Sequence, residues 1–315
     1  MPWKVFFAIV FAFLGSISVI KSEPARAEES RTQGIFVSSQ GSRLWVETEG
    51  KGEPPILLIA GGPGLAHDYF QPYFSRLAAH HRVIYYDAVG RGRSDSASTY
   101  SVARDVKDIE NLRKSLGVQS WSLLGHSYGG MVALAYALEH PKEVHRLILA
   151  DTHWSGADWQ ASNNALNARI QKERPEIWKN IQQLRARGLH SAGQEYQVPA
   201  SFYFYKVENS EAVGVKLSLN PVVYHAIAGN DADFVLGPAL AGLDFRRSMK
   251  SLSMPVLVLG GRHDQIVPAA ETLAVKSYLP KAHLVFFEQS GHFPFIEETE
   301  KSVFVIDRFL RGAAR

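Results

Sequence analysis

GHSYGG, residues 125–130, joins an apolar run, Trp121-Ser122-Leu123-Leu124, to a helix-forming run from Met131 to Leu138. Three glycines crowd one serine there. A serine placed for packing needs no such neighbours. A serine forced through a tight strand-to-helix turn does, because side chains at the flanking positions would collide with the helix and the strand. The stretch fits G-x-S-x-G with the required strand before and helix after. In such a turn the serine backbone is strained and its hydroxyl is lifted above the sheet. The next residue's N–H faces the same point, at the helix N-terminus. A chance glycine-rich turn would satisfy the five letters but not their setting.

Working outward, strands and helices alternate. Ile35–Ser38 and Leu44–Glu49, joined around Gly41, read as an antiparallel hairpin. Pro55–Ile59, Val83–Tyr86, Trp121–Leu124, Val144–Ala150, Pro255–Leu259 and Leu284–Phe287 are short apolar strands. Ser101–Leu116 reads as a helix with Ser101 as N-cap and Gly117 just past its end, and Pro141 closes the helix after the serine. Ile296–Leu310 reads as a closing amphipathic helix. Short apolar strands separated by helices predict an α/β fold, a mostly parallel central sheet covered on both faces. Residues 153–245 break the rhythm. They are rich in Trp, Tyr, Asn and Gln with helical periodicity and no clear buried strand, and predict an inserted helical cap between core segments 28–152 and 246–315. No internal repeat or low-complexity segment interrupts the chain.

Residues 1–27 stand outside that domain. Lys4, the apolar run Val5–Ile20 and Ala25-Arg26-Ala27 have the layout of a secretory signal peptide cleaved after Ala27. The alternative is an uncleaved membrane anchor, for which the apolar run is a little short. The segment carries +2 of the chain's formal net charge of +3. The mature protein, periplasmic or secreted, therefore offers no basic surface for nucleic acid or membrane. Cysteine is absent from all 315 residues, which excludes disulfides, a diacyl anchor, a thiolate nucleophile and Cys-ligated metals.

A nucleophilic serine needs a base, and the base needs an orienting acid. His292 follows the last strand in Ser290-Gly291-His292-Phe293, and Asp264 follows the strand before it in Gly260-Gly261-Arg262-His263-Asp264. The chain order Ser, Asp, His is that of the α/β-hydrolase fold. All three then stand at the carboxyl ends of strands, where open α/β sheets build their sites. His80, His81, His140, His190 and His283 read as ordinary surface or core residues. Asp151, after the sixth strand, is a rival acid, because that strand end also reaches the histidine. The loop after the third strand, Ala60-Gly61-Gly62-Pro63-Gly64, can bring a second amide close to a substrate carbonyl. No Lys-Ser/Thr follows it, so it is not a phosphate loop. Asp87–Ser94 likewise lacks the third glycine and the helix of a dinucleotide fingerprint. No metal-binding spacing occurs, and neither metal nor cofactor is implied.

Gly61-Gly62-Pro63-Gly64, Asp87 with Gly90-Arg91-Gly92-Arg93-Ser94, Gly125–Gly130, Asp264 and His292 together resemble the proline iminopeptidase branch of the α/β hydrolases. The likeness runs from about residue 34 to the C-terminus and includes cap stretches such as Phe202-Tyr203-Phe204-Tyr205. It implies oxyanion-hole amides at Gly62 and Tyr128. It also implies an aminopeptidase that removes N-terminal proline or small apolar residues from short peptides, exported if the leader is read as above, with an esterase or lactone hydrolase as the alternative. A ligand sensor that keeps the triad and signals through a partner is a third reading. The sequence departs from the family pattern at Ala60 and in the pair of acids that holds the substrate's amine. Ala60 stands where a histidine is usual before the glycines. Of the two acids that hold the substrate's amine, the resemblance leaves Asp233, in Asp233-Phe234, and replaces the other by Gln265. Asp233 also reads as a solvated loop acid beside Asp231.

Overall fold

The computed structural model describes residues 34–187, 200–206, 208, 219–229 and 235–313. The leader segment and Asp233 lie outside the described residues. Eight strands form one sheet: β1 Ile35–Ser39, β2 Ser42–Glu49, β3 Ile56–Ile59, β4 Val83–Tyr86, β5 Trp121–His126, β6 Val144–Ala150, β7 Val256–Gly261 and β8 His283–Phe287, in the order β1-β2-β4-β3-β5-β6-β7-β8. The hairpin and its pairing with β4 are antiparallel. From β4 onward every neighbour is parallel.

β3, β4, β5 and β7 are buried at every position. This follows from the side-chain alternation of a strand once both faces are covered. Leu57, Ile59, Leu123, Leu147 and Val258 turn to one face, under helices α1 (Val102–Ser115) and α2 (Tyr128–Glu139). Ile56, Leu58, Leu124, Ile148 and Leu257 turn to the other, with Phe70, Phe74, Ile306 and Phe309. Ser101 caps α1 by accepting from the Arg104 amide at 3.1 Å, and Gly117 follows with φ 66°.

Between β6 and β7 the described elements are helices: α3 Gly156–Glu173, α4 Pro175–Ala186, α5 Ala200–Tyr203, α6 Pro221–Ala228 and α7 Pro238–Ala241. α8 (Ala269–Tyr278) precedes β8. The closing helix differs from its sequence reading. It is two helices, α9 Pro294–Glu297 and α10 Thr299–Leu310, broken at Glu298, whose φ −125° and ψ 54° are not helical. The break has a cause in polar satisfaction. Glu298 Oε2 accepts from the Gln289 amide and the Ser290 hydroxyl, and Glu297 Oε2 accepts from the Gly291 amide. Two carboxylates thus hold the loop that precedes His292. No helix among the described residues is long and apolar enough to cross a membrane.

Candidate active site

Parallel pairing of β5 with β3 and β6 sets Gly125 beside Ile59 and His126 beside Ala150, so the chain leaves the sheet at Ser127. Ser127 has φ 55° and ψ −124°, a strained conformation for a residue with a side chain. Its amide donates to the Ala150 carbonyl at 2.9 Å, and its own carbonyl accepts from Thr152 Oγ1 at 2.7 Å. The glycines are needed for close approach. A Cβ on Gly125 would strike the Gly129 carbonyl, and one on Gly129 would strike the carbonyls of Ile59 and Ala60. α2 therefore presses directly on the ends of β3 and β5, with its N-terminus at the serine.

His292 and Asp264 come together from the loops after β8 and β7. His292 Nδ1 lies 2.8 Å from Asp264 Oδ2, with both side chains almost wholly buried. Asp264 Oδ1 accepts from the amides of Ile266 and Val267, at 2.8 and 3.0 Å. A Nδ1–H held by a carboxylate leaves Nε2 as the basic nitrogen. The His292 amide donates to the Tyr203 carbonyl at 2.6 Å, which fixes the loop from the side of α5.

The rival acid is also present. Asp151 is buried at φ 47°, and its Oδ1 accepts from the Gly261 amide at 2.8 Å. One ligand atom each from Asp151, Asp264 and His292 lies within 4.8 Å of the others, the one group with metal-like spacing among the described residues. The hydrogen bond to the imidazole is made by Asp264.

Gly62 has φ +114°, and a Cβ there would meet the amides of Gly64 and Leu65. The glycine loop is tied to the serine turn by contacts that sequence reasoning missed. The Gly61 amide donates to the Tyr69 hydroxyl at 2.9 Å, which lies 2.9 Å from His126 Nδ1, and His126 Nε2 lies 2.8 Å from the His292 carbonyl. An amide can only donate and a carbonyl can only accept. Tyr69 must then donate to Nδ1, and His126 carries its hydrogen on Nε2. Burial, followed by the neighbouring His292, pushes the His126 imidazole well below the usual histidine range and keeps it neutral. On the other side of the loop, Arg91 pairs with Asp105 at 2.8 and 2.9 Å and donates to the Pro63 carbonyl at 3.3 Å. The Tyr128 hydroxyl donates to the same Asp105 at 2.7 Å. Arg91 was visible in the sequence only as part of a glycine-rich turn; Tyr69 sits in a short 3₁₀ helix, His67–Phe70, with no signature of its own.

Gln265 Nε2 donates to the Ser201 carbonyl at 3.2 Å, and its buried Oε1 has no partner among the described residues.

The family model described as the alpha/beta hydrolase fold matches residues 54–299. The proline iminopeptidase of Lactobacillus delbrueckii subsp. lactis is 30% identical over 78% of this chain and 86% of its own. Among solved structures, VinJ superposes with TM-score 0.74 at 24% identity, covering 90% of this chain and 99% of its own. The proline iminopeptidase of Mycobacterium smegmatis does so with TM-score 0.70 at 23%, covering 89% and 98%. These two likenesses bear on the fold. Strand order, the serine turn and the match over most of the chain agree: the protein belongs to the α/β-hydrolase family, in its proline iminopeptidase branch.

Proposed function

We propose that the protein is an exported serine aminopeptidase that releases N-terminal proline or small apolar residues from short peptides. Ser127 attacks the acyl carbon while His292 takes its proton, and Asp264 orients the imidazole. The amides of Gly62 and Tyr128 stabilise the oxyanion. His292 then protonates the leaving amine, and water, activated by the same imidazole, releases the acid. The observation that carries this reading is the His292–Asp264 hydrogen bond at 2.8 Å, in a chain whose Ser127 is held in a strained strand-to-helix turn. Residues 153–245 act as the cap that selects the substrate. The substrate's ammonium is received by Asp233 and by Gln265 Oε1, an acceptor with no partner among the described residues.

Proline arylamide and a simple acyl ester, compared at equal concentrations, test the substrate class. Preference for the arylamide is expected. Turnover of the ester alone would establish the alternative, an esterase or lactone hydrolase, which the neutral Gln265 favours. Binding of acyl ligands with no turnover would indicate a sensor. Intact-mass measurement on protein from its native host should find a chain that begins at Glu28; a chain retaining residues 1–27 would overturn export by cleavage.

A further inference from the structure

The loops after β6 and β7 bring two carboxyl groups to one imidazole, and the serine mechanism uses only one of them. Asp264 is well supplied with donors: two backbone amides on Oδ1 and the His292 ring on Oδ2. Asp151 has one, the Gly261 amide on Oδ1, and its Oδ2 is sealed from solvent with no partner among the described residues. The groups facing Asp151 are Asp264, His292 and, from α9, Glu297. Two ionised carboxylates at this separation, away from water, repel strongly, so one of them must carry a proton. Donor count decides which: the carboxylate with three donors keeps its charge, and the one with a single donor does not. From this geometry we propose that Asp151 is a neutral carboxylic acid whose Oδ2–H donates to the Asp264 carboxylate, making Asp151 a positioning residue behind the triad. Burial first, and the charge of Asp264 second, push the Asp151 carboxyl well above the usual carboxylate range. The donated hydrogen bond draws charge from Asp264 and holds the carboxylate against rotation, so that Oδ2 stays on the imidazole. The proposal rests on the serine-hydrolase reading for its catalytic meaning, not for the protonation itself.

Infrared spectroscopy separates the two. At pH 7 the unmutated protein should show a protonated-carboxyl stretch that Asp151→Asn removes. No such band, or a band that survives in Asp151→Asn, would overturn the proposal whether or not the protein turns over any substrate. Stoichiometric divalent metal in the purified protein would overturn it as well, because a cation bridging these ligands displaces the proton. The rate profile gives the second readout. Asp151→Asn keeps a neutral donor, so the acid limb should stay where it is and kcat should remain within about threefold. Asp151→Leu removes the donor and should move the acid limb to higher pH. Were Asp151 ionised, Asp151→Asn would remove a negative charge near His292 and move that limb to lower pH instead.

Discussion

Ser127 does at one position what the rest of the turn exists to permit. Its alanine variant should lose activity by a factor on the order of 10³ to 10⁶ and still fold, which steady-state rates and circular dichroism together would check. Gly129 tests the turn from the structural side. A methyl group there meets two backbone carbonyls, which cannot yield as a side chain can. Gly129→Ala should therefore cost about 1–3 kcal/mol in urea unfolding. For the substrate, the charge-assisted contact proposed for Asp233 is worth roughly 1.5–3 kcal/mol. Asp233→Asn should lower kcat/KM for proline arylamide by about 10- to 150-fold and leave a neutral ester unaffected. Gln265→Glu should improve the arylamide alone; equal effects on both substrates would refute amine capture. At this scale the sequence was legible where chemistry demands a residue type at a strand end. His292 and Asp264, both singled out from the sequence, meet in a hydrogen bond, and the rival Asp151 lies close to both. The sequence offered the two acids as rivals for one imidazole; that both crowd it together depends on the side-by-side pairing of β6 and β7.

Among elements, the central strands β3, β4, β5 and β7 were readable because burial on both faces leaves continuous apolar runs. β5 and β7 each run two residues past their apolar stretches, through glycines and a buried His126, where the backbone ladder continues without an apolar side chain to mark it. The closing helix was misread for a related reason. Glu297 and Glu298 fit the polar face of a helical pattern, yet their carboxylates serve the preceding loop, and the helix breaks at Glu298. The chain from Gly61 through Tyr69 and His126 to His292 was hidden entirely, since it joins three loops far apart in sequence. Tyr69→Phe should leave the Gly61 amide and His126 Nδ1 without their partner. A loss of about 1–3 kcal/mol in chemical unfolding is expected, together with a fall in kcat larger than any change in KM. Wild-type stability and rate in this variant would mean that water replaces the hydroxyl without loss.

At the scale of the whole molecule, buried ion pairs away from the serine set how stability follows pH. His67 Nδ1 lies 2.8 Å from Asp87 Oδ1, deep between β2, β4 and the glycine loop. Burial alone would lower the His67 pKa, but Asp87 and then Glu47 outweigh it and raise it above 6.5. Burial would likewise raise Asp87, yet its bonds to His67 and the Arg93 amide hold it below 3.8. The histidine's contribution is complete below 6.5 and fades as pH rises through its raised value. The aspartate's is complete above 3.8 and fades as pH falls through its lowered value. The pair therefore stabilises most fully between about pH 4 and 6.5. His67→Gln should lower the urea midpoint most in that window and least at pH 9; a penalty independent of pH would show that the charge is irrelevant. The glycine loop, the serine turn and the loop that carries His292 also share a chain of hydrogen bonds whose direction is fixed at both ends. Loops joined in this way share their displacements. A displacement of one acts on the others through these bonds, so the separations among the loops are held more closely than the position of any one of them. Alignment among these three loops is then a property of their correlated motion, and each loop can be soft without the site losing register.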